Sequence, residues 1–229
     1  MNIGILVNSN IRFYYQSVPR VIDTLRLAGF DDQSIHIVCG GVPPGGKKLE
    51  SCDAKVTTHF VEYDSIDFTA LIHASTLDSP YSHFFYMHDT SYVGLQFKEN
   101  LSALAKPGYE VITLRKWPSM NIGLYDVEYL KSRKGELEKI KNFNLDEISL
   151  QEVKKWNVDN EDYLSHKTGK KLASFFELNP ENLFHNPDVL GEVDYYSNGI
   201  PRRIEYYPFL DFYKLKSNWE RKNKYEINL

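Results

Sequence analysis

The sequence predicts an α/β domain with a mostly parallel central sheet, helices on both faces and a C-terminal tail wrapped around it. Short apolar runs rich in β-branched residues alternate with amphipathic helical stretches from the first residues onward, the pattern of parallel crossover units. The run Phe84 to Met87 is apolar at every position, as for a strand covered on both faces of a parallel sheet. The chain has 229 residues, 42% hydrophobic and 25% charged, which gives one sizeable core and a globular composition. One domain over residues 1–229 is therefore expected.

The elements follow in order. NIGILV (2–7) is a β-rich run that breaks at Asn8, Ser9 and Asn10, all turn formers. From Val18 to Leu27 the apolar residues Val18, Val21, Ile22, Leu25 and Leu27 recur at helical spacing, with Pro19 tolerated in the first turn and Gly29 as the stop. IHIVC (35–39) is a second strand closed by Gly40 and Gly41, and 42–53, with its PPGG, is a loop. A third strand near 56–63 leads to a helix near 68–77, and the fourth strand is the run into His88. A short helix at 95–104, a strand at 111–114, a strand end at 121–125 and a long amphipathic helix at 127–140 come next. Residues 144–160 are polar and partly helical, 161–176 form another helix, and the Tyr-rich last forty residues form an irregular tail.

Composition narrows the function. Net charge is −4 with the cations dispersed, so a nucleic-acid partner is not expected. No apolar run has the length of a membrane span, and the N-terminal run is too short for a signal peptide. Cys39 and Cys52 lack a metal spacing and read as free thiols in a reducing compartment, which places the protein in the cytoplasm. The 16 Tyr, 13 Phe and 3 Trp exceed the needs of a core, and amphipathic rings in clefts suit stacking on a sugar or base.

In an open parallel sheet, ligands bind outside the carboxyl ends of the strands. That gives Val7, Asn8, Ser9 and Arg12, then Gly40, then His88 to Thr90, a common address. Asp89, beside an imidazole and a hydroxyl, either offers hard donors to Mn²⁺ or Mg²⁺ on a diphosphate or caps the turn that follows. Lys214, in the Tyr-rich tail, either neutralises a phosphate or belongs to a segment that only pins the tail to the core.

YMHDTSYVG (86–94) resembles the Asp-x-Asp region of nucleotide-sugar glycosyltransferases of the GT-A fold, with Thr90 where a second acid is expected. RKWPSMNIGLYDVEYL (115–130) is similar to the Asn-x-Gly strand and helix that line the donor and acceptor sugars in that family. NEDYLSHKTGKKL (160–172) resembles the Glu-Asp pair opening a helix that supplies the base of inverting members. Asn160 also reads as an N-cap, with Glu161 and Asp162 acidic residues of a first turn.

The resemblance, over residues 1 to about 175, implies a Rossmann-like GT-A domain with a nucleotide-binding half at 1–115 and an acceptor half and tail at 116–229. It also implies hexosyl or pentosyl transfer from a UDP- or GDP-linked sugar to a saccharide acceptor. Asp162 is then the base with Glu161 beside it, Asp89 and His185 hold Mn²⁺ or Mg²⁺, and Asn121 lines the donor. Two other outcomes stay open: a retaining enzyme built on Asn121 and Gly123, and an inert carbohydrate-binding or assembly module. A sugar-phosphate nucleotidyltransferase fits less well, because VNSNIRFYY lacks the glycines of that signature.

Overall fold

The computed structural model describes residues 1–44, 49–114, 121–141, 164, 171–179, 188–194 and 201–217. Among the described residues, eight strands precede the tail: β1 (Ile3–Asn10), β2 (Ile35–Gly40), β3 (Thr57–Phe60), β4 (His83–His88), β5 (Ser91–Val93), β6 (Val111–Thr113), β7 (Gly123–Asp126) and β8 (Leu172–Ser174). The helices are α1 (Tyr14–Leu27), α2 (Thr69–Ala74), α3 (Phe97–Leu104), α4 (Val127–Ser132), α5 (Lys134–Lys141) and α6 (Phe175–Leu178). Seven strands form one sheet in the order β3-β2-β1-β4-β7-β6-β8. Only β7 runs against its two neighbours, and every other pairing in the sheet is parallel.

The period of two along each strand explains why both faces are covered. Ile5, Val7, Ile37, Phe85, Met87, Ile112 and Leu124 enter one core with α1 and α3. Leu6, Val38, Phe84, Tyr86, Val111 and Tyr125 enter the other with α2, α4 and α5. The β1-to-β2 crossover moves one way across the sheet and the β3-to-β4 crossover moves the other. Crossovers of one hand must then put α1 and α2 on opposite faces.

Several sequence expectations are corrected. β1 continues through Asn8, Ser9 and Asn10, because those residues pair with β2 on one side and Asn8 pairs with His88 of β4 on the other; backbone pairing overrides their turn propensity. The helix expected at 127–140 is two helices, interrupted at Arg133. The helix expected at 161–176 does not reach its end as drawn, since Leu172–Ser174 pairs with β6 and a one-turn helix follows. The tail is not irregular: β9 (Asp188–Asp194), β10 (Pro201–Tyr207) and β11 (Phe212–Ser217) join β5 in an antiparallel sheet of order β5-β11-β10-β9. Tyr207, Leu210 and Phe212 attach it to the first core. Among the described residues no helix is long and apolar enough to cross a membrane.

One edge of the sheet carries a titratable cluster. His36 of β2 stacks on His59 of β3 at 6.1 Å between centroids, and His59 lies 4.5 Å from His73 of α2. Both ring nitrogens of His36, and Nε2 of the other two, are buried without a hydrogen-bond partner. Burial pushes all three toward the neutral form, His36 and His73 to about 4; the His59 imidazole adds to this at His36, and His59, Lys141 and His36 add to it at His73. Between pH 6.5 and about 4 the unfolded chain therefore binds protons that the folded chain refuses. Stability is full above pH 6.5 and falls as pH drops through that window. Each tenfold change in proton affinity is worth about 1.4 kcal/mol, so the three rings together cost on the order of a few kcal/mol across the window once solvent screening is discounted. Urea midpoints at pH 7 and pH 5 should differ accordingly, and His73→Leu should shrink the difference. Equal midpoints for the wild type would contradict the assignment.

Candidate functional site

The chain leaves β1 toward β2 and leaves β4 toward the opposite edge, so the carboxyl ends of these neighbours form the crevice where ligands settle in such sheets. The strand-end residues named from sequence meet there. Asn8 is level with Val38 on one side and His88 on the other, and Asn10 is level with Gly40.

Asp89 directly follows β4 at this edge and is 8% exposed. Its Oδ2 accepts from Ser9 Oγ at 2.6 Å and from Ser17 Oγ of α1 at 2.7 Å, and its N–H donates to the Asn8 carbonyl at 2.9 Å. A carboxylate accepts only, so two hydroxyl donors on one oxygen suit the ionised group.

His88 and Asn121 are held by a second network. The Asn121 amide Nδ2 donates to the carbonyl of Asp67, which leaves Oδ1 to accept from His88 Nε2 at 3.0 Å. The imidazole tautomer with hydrogen on Nε2 follows from this assignment. Tyr86 donates its hydroxyl to the same Asp67 carbonyl at 2.6 Å, and Tyr125 donates to the Asn121 carbonyl at 2.6 Å. Because β7 alone runs backward, its start lies at the carboxyl edge, which is how Asn121 reaches His88.

The loop between β3 and α2 completes this wall. Ile66 has φ of 50°, a conformation that costs a β-branched residue about 1–3 kcal/mol and persists only where its surroundings enforce it. The Asn8 amide donates to the Ile66 carbonyl at 2.8 Å while its Oδ1 accepts from the Ala70 N–H at 2.9 Å. Asp64 Oδ1 accepts from the Ile66 N–H at 2.9 Å. Asn8, named from sequence as a ligand contact, thus spends its amide on fixing this loop and the first turn of α2.

Sequence reasoning missed Asp64. Burial pushes its carboxyl upward, while nearby Arg12 and the Asn10 amide on Oδ2 oppose the rise. It stands at the same edge, just past the third strand, where the strand-end rule extended to β3 would have found it. Ser17 was missed too, although a polar residue on the apolar side of α1 was the available signal.

Other candidates fall as follows. Val7 is fully buried in the first core, and Arg12 is exposed at the turn into α1. Gly40 lacks a side chain for a packing reason, since a Cβ would meet Thr69 Cγ2 at 2.8 Å and the Tyr63 carbonyl at 2.9 Å. Lys214, 9% exposed, lies opposite Ser91 and Glu205 on the small sheet, and its neighbour Leu215 donates to the Thr90 carbonyl at 3.0 Å. Glu161, Asp162 and His185 lie outside the described residues. Among the described residues, no group of three or more His, Cys, Asp or Glu could hold a metal ion.

No protein-family model and no curated protein matches this chain. Solved structures similar to it include Rv0371C of Mycobacterium tuberculosis H37Rv in complex with manganese, at 15% identity over 76% of this chain and 87% of that one, TM-score 0.48. TarS 1–349 of S. aureus is similar at 10% identity over 78% and 63% of the two chains, TM-score 0.42. The glycosyltransferase GlyE of Streptococcus pneumoniae TIGR4 is similar at 11% identity over 75% and 45%, TM-score 0.45. The chain spans less than two thirds of the TarS and GlyE chains.

Proposed function

We propose that this chain is a single-domain cytoplasmic glycosyltransferase that moves a sugar from a nucleotide-diphospho sugar to a saccharide hydroxyl. One observation carries the reading: at the carboxyl ends of β1 and β4, Ser9 bonds to Asp89 and, in a separate network, Asn121 bonds to His88. The last three belong to the segments whose resemblance implies donor binding.

In the inverting form of this reading, the acceptor oxygen gives its proton to Asp162, with Glu161 orienting the acceptor. That oxygen bonds to the anomeric carbon as the bond to the diphosphate breaks, and the electron pair leaves on the diphosphate. Lys214 and Arg12 are the cations assigned to the charge that develops there. The donor set fits a divalent cation only in part, since Asp89 offers a hard oxygen and its partner ligand is assigned to His185. If bound, Mn²⁺ or Mg²⁺ would supply charge neutralisation of the diphosphate.

Calorimetry with UDP and with GDP, each with and without Mn²⁺, tests the reading. One nucleotide diphosphate should bind with a Kd on the order of 1 µM to 1 mM, the span of ordinary enzyme–substrate affinities. No heat with either nucleotide under either condition would sink the reading in favour of an inert carbohydrate-binding module.

A further inference from the structure

The geometry points to Ser9 and Ser17 as positioning residues that fix the carboxylate of Asp89 for its ligand, an inference that rests on the transferase reading of Asp89. The three side chains are 3%, 0% and 8% exposed, and both hydroxyls converge on one oxygen from different elements.

Neither serine is there for packing or for its own satisfaction. Ser9 continues the face that carries Ile5 and Val7, and the apolar alternation of β1 breaks to a hydroxyl at the position that meets Asp89. Ser17 Oγ lies 2.9 Å from the Phe13 carbonyl one turn earlier, an ordinary resting place for a helical serine. Its single proton is therefore satisfiable without Asp89. The carboxylate is the group that needs the donors, because it is buried at a strand end and accepts only.

With Oδ2 held from two sides, rotation of the carboxylate about its last bond is blocked and Oδ1 is set in one direction. Groups that contact a ligand act well only when such supporting bonds lock them. The α1 helix is thereby part of the site although its Ser17 touches no ligand.

The test is calorimetric binding of UDP and GDP to the full chain, using whichever the wild type binds. Ser17→Ala and Ser9→Ala should each weaken binding about tenfold and lower the unfolding midpoint, since each leaves the buried carboxylate one donor short, with both variants folded at the temperature of the assay. Ser17→Thr or Ser9→Thr should restore most of the affinity, because the hydroxyl is kept. Made in an Asp89→Asn background, the alanine substitutions should add no further loss. Unchanged affinity in both alanine variants, with Asp89→Asn impaired, would overturn the positioning role and leave the transferase reading standing. The role is also overturned if the alanine losses persist undiminished in the Asp89→Asn background. Full affinity in Asp89→Asn would remove the transferase reading of Asp89 and this inference together.

Discussion

Asp89→Asn is expected to lower sugar transfer by at least about a hundredfold while the protein stays folded, and Asp89→Ala to lose both activity and stability. The two variants separate charge from architecture. Asparagine keeps the shape of the carboxylate, and the Ser9 and Ser17 hydroxyls can reverse to meet an amide. What disappears is the negative charge that would hold, on the proposed reading, a divalent cation against the diphosphate, and losing that neutralisation is worth several kcal/mol of barrier, or about a hundredfold or more in rate. Alanine removes the acceptor as well. Ser17 can fall back on the Phe13 carbonyl, but the Ser9 hydroxyl is left buried without its partner, at a cost of about 1–3 kcal/mol. The two serine bonds are therefore the reason to expect a loss of stability in Asp89→Ala. Turnover of the donor and urea midpoints for both variants check this, and wild-type turnover in Asp89→Asn would refute the role of Asp89.

The same residues show what a sequence makes legible. FFYM was readable because a fully covered strand needs apolar residues on both faces, and Phe84 and Tyr86 do face one core while Phe85 and Met87 face the other. The crevice was readable because the strand-end rule is topological and needs only the order of strands and helices. Pairing was not readable. Asn8 to Asn10 look like a turn and are a strand because two neighbours hold them. Leu172 to Ser174 follow a helical pattern and are a strand because the edge of β6 takes them up. The tail hid its strands behind aromatic density. Yet Tyr92, Tyr213 and Tyr206 stack in one cross-strand row while Val93, Phe212 and Tyr207 are opposite one another in the alternate row, a period of two visible once the register is known. Side-chain networks were the least legible part. Nothing local marks Ser17 as a partner of a residue 72 positions away, or ties Asn121 to the carbonyl of Asp67.

Gly123→Ala should cause the largest loss of stability of any single methyl addition in the sheet, about 3 kcal/mol or more, and should carry the site with it. Gly123 opens β7 between two neighbours, level with Tyr86 of β4 and Thr113 of β6. A Cβ there would lie 2.4 Å from the Ile112 carbonyl oxygen and 2.9 Å from the Thr113 Cα. Both are backbone atoms of a paired strand, so no side chain can swing aside and β7 itself must move. Two residues upstream, Asn121 is only 2% exposed and links His88 to the Asp67 carbonyl. A displaced β7 therefore pulls that amide away from both, and the strained Ile66 segment loses one of its restraints. Nucleotide binding should weaken in Gly123→Ala even at temperatures where the protein is fully folded. Gly135→Ala is the matched control: nothing lies within 4 Å of a Cβ at that position of α5. Gly135 lies in the first turn of α5 without a positive φ, so alanine there should stabilise by roughly 0.4–1 kcal/mol through the unfolded chain and leave binding untouched. Equal unfolding midpoints for the two variants would show that the close approach of β7 to β6 is not what sets this strand.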